Sequence, residues 1–142
     1  MIYTPLTKKA LRLCFEAHKE QKDKSGLPYV HHPLHLAEQM ADEVTTIVAL
    51  LHDVIEDTDL SLTDLEKEGF PPEVLDAIAL MTHDDGSDYM AYVARIKRNP
   101  IARAVKLADL THNSDTTRLD VVTEKDLERV KKYQAAIELL TQ

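Results

Sequence analysis

The chain has 142 residues, 44% of them hydrophobic and 30% charged, with a formal net charge of −8 and 3 glycines. That length suits a single domain, 1–142, with one sizeable core. So acidic a chain repels phosphate backbones, which excludes general binding to nucleic-acid polymers but not a small anionic substrate met through a metal ion.

The opening MIYTPLTKKA carries no long apolar segment of the signal-peptide kind, and no later run reaches membrane-spanning length. A cytoplasmic protein with no membrane partner is therefore expected. Thr4-Pro5 sets a capping residue before a first-turn proline, which predicts a helix start. Leu6, Ala10, Leu13, Cys14 and Ala17 then share a face. Cys14 is the one cysteine, so an intrachain disulfide is excluded, a reducing compartment fits, and its place on the stripe makes it core. DKSGLPYVHHP reads as a loop, and Pro33 opens a second helix with Leu34, Ala37 and Ala41 on its stripe. In and before IVALLHDVIEDTD (47–59), Val44, Ile47, Val48, Leu51, Val54 and Ile55 repeat at helical spacing and predict a third, continuous helix. Thr63 and Glu66 read as the capping box of a short helix that Gly69 ends. Pro71-Pro72 leads into a helix to about Met81. HDDGS (83–87) is a turn, with Ser87 capping a helix to about Arg98. Asn99-Pro100 starts another through about Asn113. Thr123 begins the last, whose stripe of Leu127, Val130, Gln134 and Ile137 either closes the core or forms a homodimer face. About eight helices and no convincing strand make an all-α protein.

His52 and Asp53 interrupt the most apolar of these segments. An ionised carboxylate beside an apolar stripe is costly unless paired or bound to a cation, and an adjacent His and Asp offer a nitrogen and an oxygen to one ion. If the helix continues, Glu56 stacks one turn above His52, and Asp57 above Asp53. Asp109 repeats the anomaly in IARAVKLADLTHNSD (101–115), sharing a helix face with Lys106 and Asn113. YVHHPLH (29–35) adds His31, His32 and His35. Mixed nitrogen and oxygen donors suit manganese, iron or zinc better than calcium, and the cysteines of structural zinc sites are missing. Each cluster alone has a plainer reading: a solvated His–Asp pair, a Lys–Asp ion pair, a polar helix start. Their co-occurrence in one small helical chain favours a metal site. His18, His83 and His112 read as surface residues or as residues behind the ligands. Arg95, Lys97, Arg98 and Arg103 read as solvated helix surface ahead of phosphate guides.

HKEQKDKSGLPYVHHP (18–33), ALLHDVIEDTDLSLTDL (49–65) and VKLADLTHNSDT (105–116) resemble, in that order, segments of the HD-domain metal-dependent phosphohydrolases. The resemblance is nearest to the hydrolase half of the RelA/SpoT alarmone proteins and to the small stand-alone alarmone hydrolases. It spans about residues 6–140 and implies the all-α HD-domain helical bundle. It implies His32, His52, Asp53 and Asp109 as metal ligands, with His32 chosen over its neighbours because it directly precedes Pro33. Glu56 and Asp57 match the family's catalytic acidic pair, and Lys24 and Ser25 match substrate-loop positions. Asn113 and Thr116 match residues that hold the nucleotide's sugar and phosphates, and Lys106 joins them as a charge partner for the phosphoryl group.

The activity so implied is divalent-metal-dependent, with manganese first among the ions. It releases pyrophosphate from the 3′ position of guanosine 3′,5′-bis(diphosphate), a small nucleotide, with Glu56 or Asp57 taking a proton from water. Asp23 stands where the family usually has an arginine that contacts the base, and Asp115 stands where it usually has another arginine, so the nucleotide itself stays open. Two other readings stand beside this one: an HD phosphohydrolase for another nucleotide, such as a nucleoside monophosphate, and a helical binding module with an inactive site.

Overall fold

The computed structural model describes residues 1–84 and 86–142. Among them the chain forms nine α-helical segments, one 3-10 turn and a lone β-bridge between Lys22 and Pro28. α1 (Pro5–His18) begins as the sequence predicts. Thr4 Oγ1 accepts from the Thr7 N–H, Thr7 Oγ1 accepts from the Thr4 N–H, and Pro5 occupies the first turn. α2 (His31–Glu38) starts two residues before Pro33, because Val30 ahead of it already has helical dihedrals.

α3 (Glu43–Leu51) is capped by Asp42, whose Oδ1 accepts from the Thr45 N–H at 2.8 Å. Thr45 through Leu51 are all buried, and α1, α2, α6 and α8 pack around them. The expected continuous helix stops there. His52 and Asp53 form a turn, and a separate short helix, α4 (Val54–Asp57), follows. The cause is local. The Ala49 carbonyl would take the Asp53 N–H in an unbroken helix; here it accepts the His52 Nδ1–H at 2.7 Å.

α5 (Leu62–Lys67) uses Ser61 and Asp64 as its capping box, not Thr63 and Glu66, since a cap must stand just before the first helical residue. Gly69 ends this segment with φ +97°, a value only glycine adopts freely. α6 (Pro72–Met81) has the predicted bounds. Asp85 of the turn expected over 83–87 lies outside the described residues. α7 (Tyr89–Lys97) is capped by Asp88, which accepts from the Ala91 N–H, while the Ser87 hydroxyl turns back to the Asp84 carbonyl. α8 (Pro100–Asn113) is capped by Asn99 as predicted, and a 3-10 turn over Thr116–Arg118 follows it.

α9 (Glu124–Thr141) starts at the predicted Thr123 cap. Its inward line is Tyr133, Ala136, Ile137 and Leu140, packed on α7 and α8, while Leu127 and Gln134 face out. The last helix therefore closes the core. That core is one cluster including Cys14, Leu36, Ile47, Leu50, Ile78, Ile96 and Leu110, and each large side chain in it contributes about 1.5–3 kcal/mol by leaving water. His18 and His112 are buried too, so neither is a surface residue. No helix among the described residues is long and apolar enough to cross a membrane.

Candidate metal centre and cleft

The first turn of α2, the residue after α3 and the middle of α8 converge because α3 packs against both neighbours. They bring together His32, His52 and Asp109, which are 3%, 2% and 5% exposed. One donor atom from each lies within 4.8 Å of the other two. His32 Nε2 is 2.9 Å from Asp109 Oδ1, and His52 Nε2 is 3.8 Å from the same oxygen. Asp53 is outside that trio but adjoins it, with Oδ2 at 3.1 Å from His52 Nε2. The Tyr29 hydroxyl donates to the same Asp53 oxygen.

Proton assignment shows what such a cluster wants. A carbonyl can only accept, so His52 Nδ1 carries the proton given to Ala49. Nε2, on the other side of the ring, faces two carboxylates, and that buried atom has no hydrogen-bond partner. An imidazole nitrogen and two carboxylates meeting in a buried site call for positive charge among them, supplied by a proton on Nε2 or by a metal ion. The same demand raises the His52 pKa well above its usual value: burial alone would lower it, and the Asp53 and Asp109 carboxylates outweigh burial. Conversely, burial pushes the Asp53 carboxyl up, but the His52 cation outweighs this and holds it at about 2. Imidazole nitrogens whose far N–H is anchored, set beside anionic oxygens, fit a divalent transition ion.

His32 is held from behind. Its Nδ1 lies 2.7 Å from His112 Nδ1, with the two rings stacked at 4.9 Å. Burial first, and then the nearby His32 and Arg118, push the His112 pKa down to about 4. Neutral His112 can accept the His32 Nδ1–H, which frees His32 Nε2 to act as a ligand. On the remaining side of the trio, Lys106 Nζ donates to Asp109 Oδ2 at 2.8 Å, and Asn113 Nδ2 donates to Oδ1 at 2.9 Å. Burial would raise the Asp109 pKa, but Lys106 and then the imidazoles keep it well below the carboxylate range. Lys106, expected at the substrate, is partly buried against Asp109 with its ammonium 5.3 Å from the Tyr92 ring centre.

Glu56 and Asp57 occupy the short α4 just beyond the turn. Glu56 accepts from the His83 N–H, and Asp57 accepts from Gln21 Nε2 at 3.3 Å. Burial first, with Asp53 adding to it, raises both carboxyl pKa values.

A cleft of about 330 Å³ reaches the centre at Tyr29 and His32. Of the expected substrate residues, Lys24, Ser25, Asn113 and Thr116 line it and Lys106 does not. Arg95, Lys97, Arg98 and Arg103 are also absent from its walls. The sequence reading missed Tyr29, Arg118, Arg129 and Tyr133, which do line it. Only Tyr29 stood in a quoted segment as a pointer. Asp23 and Asp115 prove to be turn caps. Asp23 Oδ1 accepts from Ser25 N–H, the Ser25 hydroxyl and Leu27 N–H, and Asp115 Oδ1 accepts from Thr117 N–H.

A model of the HD domain matches residues 10–118. The chain belongs to the HD-domain family. Among relatives of this HD domain, a probable GTP pyrophosphokinase of Mycobacterium leprae is 33% identical over 126 residues, 80% of this chain and 16% of that protein. A guanosine-3′,5′-bis(diphosphate) 3′-pyrophosphohydrolase of Aquifex aeolicus is 32% identical over 136 residues, 87% of this chain and 19% of that protein. The HD domain described here thus spans less than a fifth of these curated relatives. A solved structure of a metazoan orthologue of SpoT that hydrolyses ppGpp aligns over 99% of this chain and 88% of its own, with a TM-score of 0.76 and 25% identity.

Proposed function

We propose that the protein is a metal-dependent phosphohydrolase that releases pyrophosphate from the 3′ position of guanosine 3′,5′-bis(diphosphate). The observation that carries this reading is the buried His32–His52–Asp109 trio, with His32 on the wall of a cleft that also presents Lys24, Arg118 and Arg129. The activities named for the Aquifex relative and for the SpoT orthologue support the choice of substrate.

His32, His52, Asp109 and the adjoining Asp53 would hold the divalent ion, and their mixed donors favour manganese. When bound, such an ion supplies Lewis-acid polarisation of a phosphoryl group and a water of lowered pKa. The chain's residues do the rest. Ala49 and His112 fix the tautomers of His52 and His32, and Tyr29 orients Asp53. Glu56 or Asp57, its pKa raised by burial, takes the proton of the attacking water. The water oxygen forms a bond to phosphorus, the phosphorus–O3′ bond breaks, and the departing O3′ takes a proton from solvent. Lys24, Ser25, Asn113 and Thr116 hold the sugar and phosphates from the cleft walls. Lys106 acts as the counter-charge of Asp109. The setting proposed is the cytoplasm.

The test is incubation of manganese-supplemented protein with guanosine 3′,5′-bis(diphosphate) and, separately, with nucleoside monophosphates. Pyrophosphate release from the first, lost in Asp53→Ala, is expected. Orthophosphate release from monophosphates alone would replace this reading with that of a different nucleotide phosphohydrolase.

A further inference from the structure

Arg118 stands at the end of the 3-10 turn, on the wall of the cleft facing the 19–30 loop, and is held from two sides. Nη1 lies 3.4 Å from Asp23 Oδ2, and Nη2 donates to the His112 carbonyl at 3.1 Å. Nε is buried without a partner. The anchor is itself fixed, because Asp23 Oδ1 accepts three hydrogen bonds of 2.6–3.0 Å from its own loop. A guanidinium offers five N–H donors in one rigid plane. With two engaged, the terminal N–H groups left over keep that fork available for the oxygens of a phosphate.

The charges around the cleft agree. Lys24 and Arg129 line the same walls. Two of the acids there are already engaged: Asp115 is turned to Thr117, and Asp126 pairs with Arg129 and caps α9. The position relative to the metal centre also matters. Arg118 is linked to the trio through His112, whose carbonyl it holds while the His112 ring abuts His32. Arg118 itself bonds to none of the three, so its remaining donors are open to a second phosphate.

We infer that Arg118 binds a phosphate of the substrate other than the one cleaved, and that Asp23 is the positioning residue that aims it. This rests on the reading that the cleft holds a nucleotide. It selects substrates phosphorylated at two places, since a monophosphate cleaved at the trio leaves the Arg118 fork without a ligand.

The test titrates the full chain with guanosine 5′-diphosphate and, separately, guanosine by calorimetry. Arg118→Ala weakens diphosphate binding about tenfold to a hundredfold, the loss of a charge-assisted pair, and leaves guanosine binding as it was. Arg118→Lys, which keeps the charge but not the fork, recovers part of the loss. Asp23→Asn weakens the diphosphate alone. In hydrolysis of the bis(diphosphate), Arg118→Ala and Asp23→Asn raise KM and leave kcat in place. No diphosphate binding by the wild type, equal binding by Arg118→Ala, or parallel loss of guanosine would each overturn the inference. Arg118-dependent diphosphate binding without any hydrolysis of the bis(diphosphate) would instead sink the proposed activity and leave this subsite standing.

Discussion

Replacement of Asp109 by asparagine separates metal binding from folding in one experiment. An ion bound only by the native state adds about 2.7 kcal/mol of stability when its free concentration is a hundred times its Kd. For 142 residues the entropy of unfolding is about 0.3 kcal/mol/K, so the melting temperature should rise by about 9 °C. In Asp109→Asn the rise should vanish, because the carboxylate 2.9 Å from His32 is gone. The metal-free variant should also melt lower. An amide keeps one oxygen and turns the other into a donor. It must then present that donor either to Lys106 or to the His32–Asn113 side. Breaking a buried pair of this kind costs about 3–5 kcal/mol, or about 10–17 °C here. The assay is calorimetric melting of chelator-treated protein with and without manganese. Asp64→Asn, which loosens the cap of α5 and leaves the trio untouched, serves as the variant that keeps the metal-induced rise. If Asp109→Asn shows the same rise as the wild type, the ion binds elsewhere and the reasoning from the trio fails.

Glu56→Gln and Asp57→Asn should keep the metal-induced rise in melting temperature, while at least one of them lowers kcat by about 10²–10⁴-fold in pyrophosphate release. Because burial raises both carboxyls, the acid limb of kcat/KM should fall at a pH above the ordinary carboxylate range; a midpoint within that range contradicts the assignment. Burial pushes the Cys14 thiol up to about 12, so iodoacetamide at pH 8 should leave native protein unmodified and add one group after denaturation, read by mass spectrometry. A folded-state pKa above the unfolded one means that this contribution to stability is intact below about pH 9, the usual thiol value, and is lost as pH climbs towards 12. A denaturation midpoint that rises between pH 9 and 11 would contradict that sign.

Much of the helix content was legible because its signals are local. Thr4-Pro5, Asn99-Pro100, Pro71-Pro72 and Thr123 each combine a cap or a fixed dihedral with an apolar stripe, and each starts a helix where expected. The break after Leu51 was not legible. Its periodicity is unbroken, and what interrupts it is a side-chain hydrogen bond from His52 to Ala49 that competes with the backbone. The stripe of α9 shifted for a different reason: which side of a mixed helix turns inward depends on the faces that α7 and α8 present, and these are set far away in sequence.

His52, Asp53 and Asp109 of the candidate centre stood out because His and Asp in apolar segments are chemically anomalous, whereas His32 was singled out from its neighbours by the resemblance. Their partners did not stand out. Lys106 has the spacing for either Asp109 or a ligand, and only packing under Tyr92 decides between them. Arg118 lies two residues past the last resembling segment, 105–116, and Asp23 reads as a reversed charge until its three loop donors are seen.

The ammonium beside Asp109 has one more consequence. Because Lys106 is a permanent companion built into the same helix, losing the ion does not strand a naked anion in the interior. Under the proposed activity the scaffold can fold without its divalent ion, wait empty, and load later, so ion supply would set turnover while the empty protein gives up only the stability that binding adds.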